Sequence, residues 1–87
     1  MITGRQIREA RALLGLQRSE MAAKVKMVST ATITRAESVD GEPSITFAQA
    51  AAIRSFFEAA GIEFTARPHA HPVVRLRVAR GDPAQEN

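Results

Sequence analysis

The 87-residue sequence has no cysteine, which excludes disulfide staples and any thiolate chemistry. Tryptophan and tyrosine are absent too, and four phenylalanines make up the aromatic content. A nucleic-acid stacking platform wants exposed aromatics interleaved with bases, whereas Phe56 and Phe57 fall on an apolar stripe and are expected in a core. No apolar run at the amino terminus resembles a signal peptide or a membrane span, so a cytoplasmic location is expected. Catalytic constellations are missing as well. No Ser/His/Asp or Cys/His arrangement, Gly-rich phosphate loop or paired carboxylates can be assembled, and a non-enzyme without a cofactor is expected. His69 and His71 offer two imidazoles, but no third ligand stands at a usable spacing, so this stretch reads as a polar loop rather than a metal site. A chain this short forms one small domain with a modest core, which makes a binding module the default.

What is present is a skewed charge distribution. The chain carries 12 basic and 9 acidic residues, net +3. Up to Arg35, however, the bases Arg5, Arg8, Arg11, Arg18, Lys24, Lys26 and Arg35 face only Glu9 and Glu20. The excess positive charge therefore sits in the first half, where a polyanion would feel it.

Local signals divide that half into short helices. Thr3-x-x-Gln6 is a capping box that starts a first helix, Ile7, Ala10 and Leu14 fall on one face, and Gly15 supplies a left-handed stop. A second helix is expected from about Arg18 to Val25, burying Met21, Ala22 and Val25. Lys26-Met27-Val28 then turns the chain, and Ser29 is a natural N-cap for a third helix over about Thr30 to Glu37. In it Ile33 and Ala36 point inward, while Thr30, Ala31, Thr34 and Arg35 lie on outer faces. Asp40-Gly41-Glu42-Pro43 reads as a loop. A fourth helix starts at Ser44 or Thr46, with Ile53, Phe56, Phe57 and Ala60 as its core stripe and Gly61 as its end. Beyond it the period changes to two. Ile62, Phe64 and Ala66 alternate with polar residues, as do Val74, Leu76 and Val78, which predicts a hairpin joined through residues 67–72. Such a ribbon needs a helix beneath it or a partner at its edge, and packing on helix four with pairing to a second copy meets both needs. Glu63 is the expected cross-strand partner for the Arg75 and Arg77 face. The expected organisation is a mainly helical domain over residues 1–61, a strand extension over 62–80 and a disordered tail over 81–87.

Two short helices with a tight connection form a helix-turn-helix. Residues 3 to 61 resemble the Cro and lambda-repressor-type (XRE) helix-turn-helix family, on Leu14-Gly15-Leu16, Met21-Ala22, Val28-Ser29, Ala31-Thr32-Ile33-Thr34-Arg35, Glu37 and Pro43-Ser44. The resemblance implies a four- to five-helix domain that binds double-stranded DNA as a cytoplasmic, nucleoid-associated regulator. It also implies a structural ion pair between Arg11 and Glu37. There are two departures from the family pattern. Arg18 replaces the glutamine usual at the second position of helix two, and Lys26-Met27 lengthens a turn in which a single glycine is common.

A major groove about 12 Å wide admits one helix, read from its amino-terminal residues. Ser29, Thr30 and Ala31 are therefore the base-facing candidates, with Arg35 one turn on. Arg35 suits guanine O6 and N7, and Ala31 suits a thymine methyl. Thr30, Thr32 and Thr34 are phosphate candidates or simply face solvent. Gln17 and Arg18, at the positive end of helix two, and Lys26 are expected on phosphates, with Arg5 and Arg8 as further candidates. The leading expectation is a sequence-specific regulator, a repressor, binding an inverted repeat as a homodimer through Val74, Leu76 and Val78 of the hairpin. The alternative is a protein-interaction module on the same scaffold, antiactivator- or antitoxin-like, with a second protein as partner.

Overall fold

The computed structural model describes residues 1–65 and 73–76. Among the described residues, four helices are followed by a two-stranded antiparallel sheet: α1 (Gly4–Leu14), α2 (Arg18–Lys24), α3 (Thr30–Glu37), α4 (Phe47–Ala59), β1 (Ile62–Thr65) and β2 (Val73–Leu76). This is the mainly helical fold expected from the periodicity.

Each helix start has a local cause. Thr3 Oγ1 accepts from the Gln6 amide at 3.1 Å while Gln6 Oε1 accepts from the Thr3 amide at 2.9 Å, so the first capping box is closed. Gly15 ends α1 at φ 68° and donates its amide to Ala12 and Arg11 carbonyls. Glu20 Oε1 accepts from the Gln17 amide at 2.7 Å at the start of α2. Val25 caps α2 in an extended conformation, one residue earlier than expected, because the chain must leave the helix to enter the turn. Of the two candidate caps of α4, Thr46 is the one used. Its Oγ1 accepts from the Gln49 amide and Gln49 Oε1 accepts from the Thr46 amide, both at 3.0 Å.

The core gathers one side of every helix. Ile7 and Ala10 of α1, Met21 of α2, Ile33 and Ala36 of α3 and Ile53 and Phe57 of α4 are buried, joined by Ile2, Val25, Val28, Ala50 and Ile62. Leu14, Ala22 and Phe56 pack at its margin. The α4 stripe is shifted from the expected one. Ala60 is exposed and serves as the C-cap, while Ala50 is buried and completes the stripe with Ile53 and Phe57. Phe57 packs on Phe56 at 5.5 Å between centroids and edge-on against Phe64 at 6.1 Å.

The amino end of α1 seats on the loop that follows α3. The Gly4 amide donates to Gly41 O at 2.8 Å and the Arg5 amide to Asp40 O at 3.3 Å, satisfying first-turn donors that a helix cannot satisfy itself. A Cβ on Gly4 would lie 2.0 Å from Val39 O and 2.3 Å from Ala36 O, so only glycine permits this approach.

The hairpin register pairs Ile62 with Leu76, Glu63 with Arg75, Phe64 with Val74 and Thr65 with Val73. The strand pairing agrees with the period-two pattern, and Glu63 stands opposite Arg75 as expected. The ribbon straddles two helices, with β1 on α4 and β2 on α1, rather than resting on α4 alone. The side chains of Val74, Leu76 and Arg75, together with Ala66, His69, His71, Arg77, Val78 and the tail over 81–87, lie outside the described residues. Among the described residues, no helix is long and apolar enough to cross a membrane.

Candidate nucleic-acid interface

The second and third helices share the core through Met21 and Ile33, joined by Val25 and Val28 of the connection between them, all buried. Ser29 caps α3, its Oγ accepting from the Thr32 amide at 3.1 Å. With Ile33 and Ala36 committed to the core, the 3.6-residue period leaves Thr30, Ala31, Thr34 and Arg35 on the opposite face, and all four are exposed, as is Ser29. Thr32 departs from its expected outward position. It is 7% exposed, and its hydroxyl shares a 2.9 Å hydrogen bond with Ser29 Oγ. The reason is its place three residues after the cap, where both its amide and its hydroxyl meet Ser29 Oγ, so it reinforces the cap instead of reaching out.

Beneath the outer face lies a buried charge cluster. Glu37 has a side chain 1% exposed, and its carboxylate accepts from Arg11 twice, Nε to Oε2 at 2.8 Å and Nη2 to Oε1 at 2.9 Å. Arg18 adds a third bond, Nε to Oε1 at 3.0 Å. Burial pushes the Glu37 carboxyl up, but the hydrogen bonds and charges of Arg11 and Arg18 outweigh it and hold it below the ordinary glutamate value. Reciprocally, the hydrogen bond to Glu37 raises Arg11. Arg11 also donates Nη1 to Leu16 O at 3.0 Å, so one side chain ties the α1–α2 connection to the end of α3.

Arg18 is therefore anchored through Nε, and its terminal nitrogens make no hydrogen bond among the described residues. Its side chain is 44% exposed. Arg35 is oriented in the same way: Nε donates to Ser44 O at 3.0 Å, which leaves its two terminal nitrogens for an external acceptor. Gln17 and Lys26 are exposed near the two ends of α2, and neither Lys24 nor Lys26 has an ion pair among the described residues. Arg5 and Arg8 are engaged inside the molecule. Arg5 pairs with Glu9 at 3.0 Å. Arg8 donates to Glu37 O at 2.7 Å and Val39 O at 3.2 Å and pairs with Asp40, stapling α1 to the loop after α3. That pairing holds the Asp40 carboxyl below its ordinary value.

The lengthened turn has its own solution. Met27 takes φ 68°, the left-handed conformation that glycine usually supplies, and stays 63% exposed. Its carbonyl accepts from Gln49 Nε2 at 3.1 Å. Sequence reasoning missed both Gln49 and the stapling role of Arg8, since each acts across more than twenty residues. Locally, Gln49 stands three residues after Thr46, a capping-box spacing that points to a cap and to nothing across the chain.

A helix-turn-helix family model matches residues 7–53, more than half of the chain and all of α2 and α3. No curated protein and no solved structure matches it.

Proposed function

The chain belongs to the Cro and lambda-repressor-like helix-turn-helix family of DNA-binding transcription regulators, and from that premise we propose that it is a sequence-specific repressor binding an inverted-repeat operator as a homodimer. The observation that carries this reading is the outer face of α3. Thr30, Ala31, Thr34 and Arg35 are exposed together on a helix whose other side is locked into the core. In this assignment Ser29, Thr30, Ala31 and Arg35 face base edges, with the terminal nitrogens of Arg35 on guanine O6 and N7 and the Ala31 methyl on thymine. Gln17, Arg18, Lys26 and Thr34 take phosphates. Thr32, whose hydroxyl is held by Ser29, leaves the contact set.

One such module covers too few base pairs for genomic specificity, whereas two joined copies add their binding free energies. The proposed joint is the extension over residues 62–80, with Val74, Leu76 and Val78 as its apolar positions, appended to the DNA-binding unit over 1–61. It is supported by the two-stranded sheet, whose outer strand edges have no further strand among the described residues. Half-sites then lie about 34–36 Å apart, one helical turn of DNA.

Fluorescence anisotropy with the DNA upstream of the chain's own gene, against a scrambled duplex across a salt series, tests the reading. A preference of about a hundredfold or more with a steep salt slope is expected. Equal, weak binding to that duplex and to genomic fragments would instead favour the protein-interaction reading.

A further inference from the structure

The turn that launches α3 is hydrogen-bonded to an element outside the helix-turn-helix pair. We propose that Gln49 is a positioning residue for DNA reading: its side-chain amide ties the first turn of α4 to the turn that launches α3, and so sets the angle at which α3 presents Thr30 and Arg35. The inference rests on the DNA-binding reading above.

The geometry divides the Gln49 side chain into two jobs. Oε1 accepts from the Thr46 amide at 3.0 Å and closes the α4 cap, while Nε2 donates to Met27 O at 3.1 Å. Met27 is the left-handed residue of the turn, at φ 68°, and its carbonyl lies two residues before the Ser29 cap. A non-glycine residue holds this conformation only where the surroundings specify it. The buried Val28 next to it and the Gln49 bond supply that specification. The far end of α3 is tied to the same platform, through Arg35 Nε to Ser44 O at 3.0 Å. Both ends of α3 are thus held by the stretch from Ser44 to Gln49, although no base-reading residue lies there.

The sensitivity is large for so short a helix. Eight residues rise about 12 Å, so a tilt of about 10° moves one end by roughly 2 Å. Hydrogen bonds to base edges tolerate a few tenths of an ångström.

The Gln49→Glu variant separates the two jobs, because its carboxylate still accepts from Thr46 but cannot donate to Met27 O. Gln49→Met removes the donor without adding charge. Both are compared with wild type by thermal melting, by anisotropy on the preferred operator and the scrambled duplex, and by amide hydrogen exchange without DNA. The expected result is a melting temperature within a few degrees of wild type for Gln49→Glu. For both variants the ratio of specific to non-specific affinity falls about tenfold or more, with exchange of the Thr32 and Ile33 amides accelerated relative to α1. A specificity ratio within twofold of wild type overturns the proposal, because a cap-only role for Gln49 would weaken α4 without selecting against the operator. If wild type prefers no duplex, the DNA reading fails separately, and the exchange measurement decides this one: unchanged α3 exchange in both variants overturns it, and faster exchange confined to the turn and α3 upholds the tether.

Discussion

Replacing Glu37 by glutamine is the sharpest test of how this small fold is held together. The carboxylate is 1% exposed and is shared by Arg11, 21% exposed, and Arg18, 44% exposed. Removing one partner of a buried ion pair costs about 3–5 kcal/mol, chiefly because a charge is left buried without compensation. Here the stranded charges are the two guanidiniums, both of which reach water, so screening reduces the expected loss to about 2–3 kcal/mol. The glutamine keeps one acceptor oxygen but turns an amide donor toward a second donor, so it does not restore the cluster. For a domain of this size each kcal/mol lowers the melting temperature by about 4–8 °C, so a drop of roughly 10–20 °C near neutral pH is expected by circular dichroism. The pH dependence supplies an internal control. Glu37 is held below its ordinary value of 4.5 in the folded state, so its contribution is fully present above that value. The contribution is lost as pH falls through the folded-state pKa. The gap between wild type and Glu37→Gln must therefore narrow below about pH 4.5. A melting temperature within about 2 °C of wild type near neutral pH, or a gap that stays constant into acid, would refute the argument.

Gly4→Ala should destabilise by about 1–3 kcal/mol in urea unfolding, because its Cβ would meet Val39 O and Ala36 O. The sign is diagnostic, since the same change in an open helix position stabilises by up to about 1 kcal/mol, and a gain in midpoint would rule out the close approach. Met27→Gly should be neutral or stabilising by up to about 1 kcal/mol, the relief of a left-handed side chain offset by the entropy of glycine. A loss beyond about 1 kcal/mol would mean that the exposed methionine side chain matters more than its backbone. Changing Thr30 and Arg35 together to alanine should lower the melting temperature by only a few degrees, since both are exposed and the one internal bond lost is Arg35 Nε to Ser44 O, while relaxing sequence preference. Undiminished operator affinity in anisotropy would remove α3 from the reading face.

The parts of the molecule that sequence alone made legible share a short range. The caps at Thr3 and Ser29 are bonds between residues three apart, the stop at Gly15 is a backbone preference of one residue, and the start of α4 was narrowed to Ser44 or Thr46 before the structure selected Thr46. The alternation from Ile62 onward announced strands for the same reason. The pairing of Arg11 with Glu37 spans 26 residues and was accessible only through family resemblance, because nothing local brings those two positions together. The face of α4 was read correctly but its extent was not: Ala60 lies at the C-cap, beyond the last helical residue, so the buried stripe runs from Ala50 through Ile53 and Phe57 instead of ending on Ala60.

Local chemistry thus determined where helices form, where the first three begin, and which face of α3 stays out of the core, because propensity, capping and periodicity act within one or two turns. The tertiary structure decided which charges are free. It drew Arg18 to Glu37 and Arg8 to the loop after α3, turned Thr32 inward, and tied the lengthened turn to Gln49. Those outcomes depend on distances between segments far apart in the chain, and packing sets such distances only once the core has closed.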